Sequence, residues 1–299
     1  MTKRRVMENM KDQVNTTSQE PARPESAAEI GSGHDERLAW WREAKFGMFI
    51  HWGLYAVPAG EWKGEEYWGI GEWIQFKARI PVDEYAQLAT EFNPVEFDAD
   101  AWAQLALDAG MKYLVITAKH HDGFAMFHSN VSDFNIVDAT PFDRDPVLEL
   151  AQACAKRGIK FGVYYSQAQD WHEPGGCVWE GAHEDGPVYA ENEWDPKQKG
   201  DFGEYLERKS IPQVRELLTN YGPIAIVWFD TPSAQMTVER AARLEEIVHT
   251  LQPDALVSGR IGGQRASDYD SEGDNRVPDG VRPGDWETPA TLNDTWGFK

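Results

Sequence analysis

Asp230 stands directly after the apolar run Ile224, Ala225, Ile226, Val227, Trp228 and Phe229, so a buried strand would deliver one carboxylate at the point where it ends. An acid inside such a strand would carry a large desolvation cost, whereas the C-terminal ends of parallel barrel strands are where catalytic groups gather. Hydrolysis of a glycosidic bond takes two carboxylates, about 5 Å apart for retention or roughly 6.5 to 9.5 Å apart for inversion. Asp230 supplies the first. Asp268, Asp270, Glu272 and Asp274 form an acidic run that could supply the second, and Glu287, within Trp286-Glu287-Thr288-Pro289, is a further source. Competing readings stand beside these. Asp230 also suits the N-cap of a helix starting near Ser233, and the acidic run suits a solvated loop or an oxygen-rich calcium site.

His51, His120 and His121 are a second set of reactive side chains. Imidazole is a common metal ligand, yet adjacent residues of an extended segment point to opposite sides, which sets His120 and His121 against sharing one ion. A His-x-His pair on the first strand is missing, because Phe49 stands two residues before His51. Neutral imidazoles that both donate to and accept from sugar hydroxyls fit better, and no metal or other cofactor is expected.

These groups need a frame that gathers strand ends. Residues 46–52 read as a strand ending near His51, followed by an aromatic-rich loop to Gly71. A helical stretch over 85–109, with Asp98 as N-cap and Gly110 as stop, leads to a strand at 112–118 and the polar cluster Lys119-His120-His121-Asp122-Gly123-Phe124. A helix over 146–156, stopped by Gly158, leads to a strand at 160–165. Helices over 201–220 and 233–251 precede strands at 224–229 and 255–260. Strands alternating with helices imply a parallel sheet, and polar residues at so many strand ends favour a closed (β/α)8 TIM-like barrel over an open doubly wound sheet. No Gly-x-Gly-x-x-Gly turn opens a helix after the first strand. Five strands are clear and a sixth falls around 286–291, so the barrel is expected to be cut short at its C-terminal end, with about six of eight strands and two exposed edges.

The composition agrees with a large folded domain. Of 299 residues, 41% are hydrophobic and 12% aromatic, enough for a sizeable core. With 29 Lys and Arg against 50 Asp and Glu, the formal net charge of -21 disfavours nucleic acid and anionic membranes as partners and suits a neutral substrate. Two cysteines, Cys154 and Cys177, are too few for a disulfide framework. Residues 1–36 are polar and rich in Ser, Glu, Pro and Gly, and read as a disordered tail before a catalytic domain over 37–299. No secretory signal or membrane span is visible, which makes a cytoplasmic location the default with export left open.

His51-Trp52-Gly53, Gly71-Glu72-Trp73, Lys119-His120-His121-Asp122-Gly123-Phe124, Tyr164-Tyr165-Ser166 and Trp228-Phe229-Asp230, taken in this order, resemble the alpha-L-fucosidases of glycoside hydrolase family 29. The resemblance spans about residues 38–299. It implies a retaining exo-glycosidase that releases terminal alpha-L-fucose from fucosylated oligosaccharides or glycoconjugates, with Asp230 as nucleophile in an eight-stranded barrel. His51, Glu72, His120, His121, Tyr165 and Arg260 would line the fucose pocket, and Trp73 and Trp228 would form aromatic walls. Tyr165 is preferred to Tyr164, since alternation lets only one face the barrel axis. Asp274 is the first choice for the general acid/base, with Glu272 and Glu287 in reserve. That acid needs a raised pKa. Family members usually continue with the end of the barrel and often a beta-sandwich domain, and on this reading both are expected to be absent here. A fucose-binding module without turnover and a metal-dependent barrel hydrolase are the alternatives.

Overall fold

Period-two alternation decides which strand side chains meet on the inside of the sheet. The computed structural model describes residues 32–67, 69, 71–176, 194–231, 233–263 and 267–299. Contacts divide the chain after Asp35, and the unit Glu36–Lys299 carries the sheet. Its strands are β1 (Gly47–Ile50), β2 (Tyr113–Lys119), β3 (Lys160–Tyr165), β4 (Ile226–Phe229) and β5 (Leu256–Val257), paired in parallel in that order. A parallel bridge from Ser258 to Tyr269 carries the sheet on to β6 (Asp270–Ser271), which pairs in parallel with β7 (Trp286–Glu287). The acidic run is therefore partly a strand. Asp268 within it is buried, where it accepts from Val257 N at 2.8 Å and from Arg37 at 2.8 Å, so it is no solvated loop.

Val115, Tyr164, Ile226, Trp228, Leu256 and Tyr269 form one buried cluster on the inner face. The alternate residues Leu114, Ile116, Phe161, Val163, Tyr165, Val227, Phe229 and Val257 belong to the larger core beneath the helices. Such two-sided burial explains why these strands read as continuous apolar runs. β1 and β7 line a common cavity of about 980 Å³, into which Trp41, Met48, Phe49 and Thr288 also turn. The expected alternation of strands and helices is thus met by an α/β fold with a curled parallel sheet.

Local chemistry sets the helix ends. Asp98 accepts from Ala101 N and caps Ala99–Asp108, while Asp145 accepts from Leu148 N and caps Pro146–Arg157, which Gly158 ends at φ 70°. Several boundaries differ from expectation. The stretch 85–109 is not one helix but Val82–Ala86, a 3-10 turn Gln87–Thr90, and Ala99–Asp108. The stretch 201–220 contains a π turn at Leu206–Ser210 just before Pro212, whose missing N–H cannot continue an α ladder. The next helix starts at Val238, capped by Thr237, so Asp230 is not a helix cap. Residues expected as a tail include the start of a helix, Ser32–Ala44, held by buried Leu38 and Trp41. Residues 1–31 and Cys177 lie outside the described residues. Among the described residues no helix is long and apolar enough to cross a membrane.

A buried charge group supports the turn after β2. The β2–β3 register shifts between Thr117 and Lys119, which turns the Lys119 side chain to the helix side, over the Tyr165 ring. There Lys119 Nζ meets Asp170 at 3.1 Å, and Lys209 Nζ meets the same carboxylate at 2.9 Å. Asp170 also accepts from the backbone N–H groups of His172 and Glu173, so its burial is matched by donors on every side. Gly123, in the turn, packs directly on this carboxylate: at φ 78° a Cβ would lie 2.1 Å from Asp170 Oδ1. Gly110 has a similar φ of 79° but open space around it. Gly110→Ala should therefore cost only the backbone term, about 1 kcal/mol. Gly123→Ala should cost several-fold more, about 3 kcal/mol or above, in urea unfolding; equal costs would contradict this account of the turn.

Candidate active site

Asp230 follows β4 immediately and leaves the strand through Thr231, a β-branched residue at φ 46°. Such a conformation is costly and marks a turn held by its surroundings. Gln167 supplies part of the hold. Its Oε1 accepts from Asp230 N at 2.9 Å, while its Nε2 donates to the carbonyls of Arg260 and Ile261 at 3.0 and 3.1 Å. One buried side chain thereby ties the end of β4 to the turn after β5.

The Asp230 carboxylate is held by two side-chain donors, with an imidazole nitrogen close by. Tyr164 Oη donates to Oδ2 at 2.7 Å, Arg260 reaches Oδ1 at 3.1 Å, and His121 Nε2 lies 3.6 Å from Oδ2. Burial by itself would raise its pKa, but the Arg260 charge, His121 and the Tyr164 hydroxyl outweigh that and leave it below the usual value. Arg260 does more than hold Asp230. Its other terminal nitrogen binds Asp274, its Nε donates to Ser271 Oγ at 3.0 Å, and its guanidinium lies 4.8 Å from the Trp228 ring centre. Two carboxylates therefore share one planar cation.

The histidines gather beside this pair. His120 and His121 have ring centres 4.1 Å apart, and His51 stands 5.8 Å from His120. The expectation that the adjacent pair would point to opposite sides fails because both follow the end of β2, in a turn rather than in extended chain. Burial, the largest influence on each, lowers His51 to about 3 and His121 to about 4, and it lowers His120 as well. All three are neutral near pH 7. Nδ1 of His51 and of His120 are buried without a protein partner, as is Oε1 of Glu72. Among the described residues no three His, Cys, Asp or Glu side chains converge as a metal-ligand set.

Aromatic rings wall the site. Trp73 meets His121 edge-on at 5.1 Å, and Trp228 stacks on Tyr164 at 5.4 Å. Glu72 holds a remote segment in place: it accepts from Gly297 N at 2.8 Å and from Thr295 Oγ1 at 3.1 Å, and Thr295 Oγ1 in turn accepts from Gly71 N. That clamp sets the Trp296 ring 5.0 Å from His51.

Three sequence expectations need correction. Tyr165 does not face the site: its hydroxyl donates to Gln213 on the helix side, and Tyr164 takes the inward position. The preference picked the wrong member of the pair because Tyr164, two residues before Ser166, shares the parity of Trp228 opposite it in the register. Glu272 is turned away to Arg282, at 2.6 Å. Glu287 receives the Trp228 indole N–H and lines the cavity beside β1, near enough to Arg260 and Asp274 to feel their charges but not bonded to the guanidinium that Asp230 and Asp274 share. Sequence reasoning weighed Tyr164 and passed it over, and it gave no role to Ser166, Gln167 or Trp296. Strand parity could have found Tyr164; Trp296 is brought in by a fold-back that no local pattern announces.

Residues 13–299 match the family model described as alpha-L-fucosidase. The tissue alpha-L-fucosidase of Rattus norvegicus is 35% identical over 200 residues, covering 64% of this chain and 39% of that protein. The alpha-L-fucosidase AlfC from Lactobacillus casei, solved in complex with alpha-L-fucose product, is 44% identical with a TM-score of 0.78, over 88% of this chain and 81% of that one. The alpha-L-fucosidase from Vibrio sp. strain EJY3 is 43% identical with a TM-score of 0.80, over 88% and 46%. The chain spans about two fifths of the length of the curated relatives it matches. With a family match running through the strand-end residues described above, this chain belongs to the alpha-L-fucosidase family.

Proposed function

We propose that this protein is a retaining exo-acting alpha-L-fucosidase that works through a covalent fucosyl-Asp230 intermediate. The observation that carries the reading is the Arg260 guanidinium bound to Asp230 through one nitrogen and to Asp274 through the other. A guanidinium shared by two carboxylates gathers at one point the pair of acids that glycoside hydrolysis uses, and the retaining course is the one the family resemblance implies. Asp230, kept ionised by Arg260 and Tyr164, attacks the anomeric carbon. Asp274, half-exposed at the rim where a leaving group departs, takes a proton from solvent as it leaves Arg260 and delivers it to the glycosidic oxygen while the bond from that oxygen to the anomeric carbon breaks. In the second step Asp274 takes a proton from water, the water oxygen bonds to the anomeric carbon, and the Asp230 ester bond breaks. His51, His120, His121, Glu72 and Arg260 bind the sugar, with Trp73, Trp228 and Trp296 as walls. A variant of AlfC, which this chain resembles, has been solved in complex with Fuca(1,6)GlcNAc, and a fucosylated glycan of that class is the proposed substrate.

Azide separates the two acids by stereochemistry. Asp230→Ala should lower hydrolysis of an aryl alpha-L-fucoside on the order of 10³-fold or more, and azide should restore turnover as the beta-fucosyl azide, since it attacks from the vacated side. Asp274→Ala should retain formation of the covalent intermediate from a substrate with a good leaving group, and azide should then give the alpha-fucosyl azide. An alpha product from Glu287→Ala, with none from Asp274→Ala, would reassign the acid/base to Glu287.

Glu287 instead reads as a support for Trp228, and pH reports its state. Burial pushes its carboxyl up to about 7, against the Trp228 hydrogen bond and the Arg260 charge, which pull it down. The folded state then holds a proton that the unfolded chain releases, so this group's contribution to stability falls as pH rises from about 4.5 to about 7. Glu287→Gln should remove that loss. Relative to the parent, its melting temperature should rise between about pH 5 and pH 8, and a difference independent of pH would refute the assignment.

A further inference from the structure

Ser166 touches no part of the proposed reaction, yet its hydrogen bonds constrain His121. Its hydroxyl is fully buried and has two neighbours: the carbonyl oxygen of Gln169 at 2.8 Å and His121 Nδ1 at 2.7 Å. A carbonyl can only accept, so the single hydroxyl proton belongs to the contact with Gln169. The opposite assignment would leave two acceptor oxygens facing each other at 2.8 Å in a buried site. With its proton directed there, Ser166 Oγ presents a lone pair to His121, and Nδ1 must donate. In the neutral ring the other nitrogen, Nε2, then carries no proton.

The consequence lies on the reaction side. Nε2 is the atom 3.6 Å from Asp230 Oδ2, an oxygen that already accepts from Tyr164. An unprotonated nitrogen and a carboxylate oxygen face one another across a gap that neither can close with its own proton. A hydroxyl group entering there meets an acceptor on each side and must come as a donor.

We propose that Ser166 is a positioning residue which holds neutral His121 with its proton on Nδ1, so that Nε2 selects a hydroxyl-donating sugar beside Asp230. The part about the sugar rests on the fucosidase reading; the part about the tautomer does not. The backbone reinforces the arrangement, because Trp171 N donates to His121 O at 2.7 Å and Ser166 N donates to Lys119 O at 3.0 Å, fixing both partners to the same turn. Neighbouring charges favour the neutral ring despite Asp230: burial dominates, and Lys119 adds to it.

The test combines ring-nitrogen NMR of the ¹⁵N-histidine-labelled full chain with binding of L-fucose. In the parent protein His121 should show a protonated Nδ1 and a bare Nε2. Ser166→Ala should move the proton to Nε2, where it can reach Asp230, and should weaken fucose binding roughly tenfold to a hundredfold. Ser166→Thr, which keeps the hydroxyl, should retain the parent tautomer and most of the affinity, and it guards against a packing defect in the alanine variant. A parent protein with its proton on Nε2, or a Ser166→Ala variant with unchanged tautomer, would overturn the role of Ser166. A tautomer switch with unchanged fucose affinity would overturn the selection at Nε2. If the parent binds no fucose while the tautomers behave as described, the fucosidase reading fails and the hydrogen-bond assignment stands.

Discussion

Asp170 is the carboxylate on which the site depends. It is wholly buried, and it persists as an anion there only because Lys119 and Lys209 converge on it and two backbone N–H groups fill its remaining lone pairs. Removing Asp170 would leave two buried lysines without the carboxylate they share, which is far more costly than never having built the group. Its placement has geometric force. Lys119 is the last residue of β2, so the ion pair fixes where the strand stops and where His120 and His121 begin. Lys209 also donates to Gly123 O, and the adjacent Trp171 N donates to His121 O. The histidine turn is thus held from below at three points, none of which touches the reaction side.

A second constraint ties the acids to that turn. Arg260 neutralises Asp230 and Asp274 together, and Gln167 bonds both to the backbone of Asp230 and to that of Arg260. Gln167 follows Ser166 and precedes Asp170 by three residues. A single stretch after β3 therefore carries the tautomer partner of His121, the tie between the two charged strand ends, and the buried anion. The strained Thr231 backbone fits the same picture, since a turn that costs energy is maintained only when its neighbours over-determine it.

Much of the frame was legible because it is local. The apolar runs ending at Lys119, Tyr165 and Asp230, the caps Asp98 and Asp145, and the Gly158 stop each follow from a few adjacent residues, and they lie where expected within a few positions. What failed was phase and distance. The choice between Tyr164 and Tyr165 needed the parity of β3 against β4, which alternation alone leaves ambiguous by one residue. The register shift at Lys119 turned a lysine of the polar cluster into a buried support and placed two adjacent histidines on one side. The hydrogen bonds from Thr295 and Gly297 to Glu72 join residues more than two hundred positions apart, and with them Trp296 comes over His51.

The electrostatics of the site follow from having one permanent cation, Arg260, beside the Asp230 carboxylate. If His51 or His121 were charged, each would compete with Arg260 for the Asp230 carboxylate. Burial prevents this by holding both rings neutral, down to about pH 3 and pH 4. A neutral imidazole keeps one donor and one acceptor, which suits hydroxyl groups and offers nothing special to an anion. The division of labour is therefore physical: the guanidinium handles charge, the histidines handle hydroxyls, and the tryptophans present apolar faces. A chain with a net charge of -21 concentrates one cation where Asp230 and Asp274 meet, and sets neutral imidazoles and aromatic rings beside it.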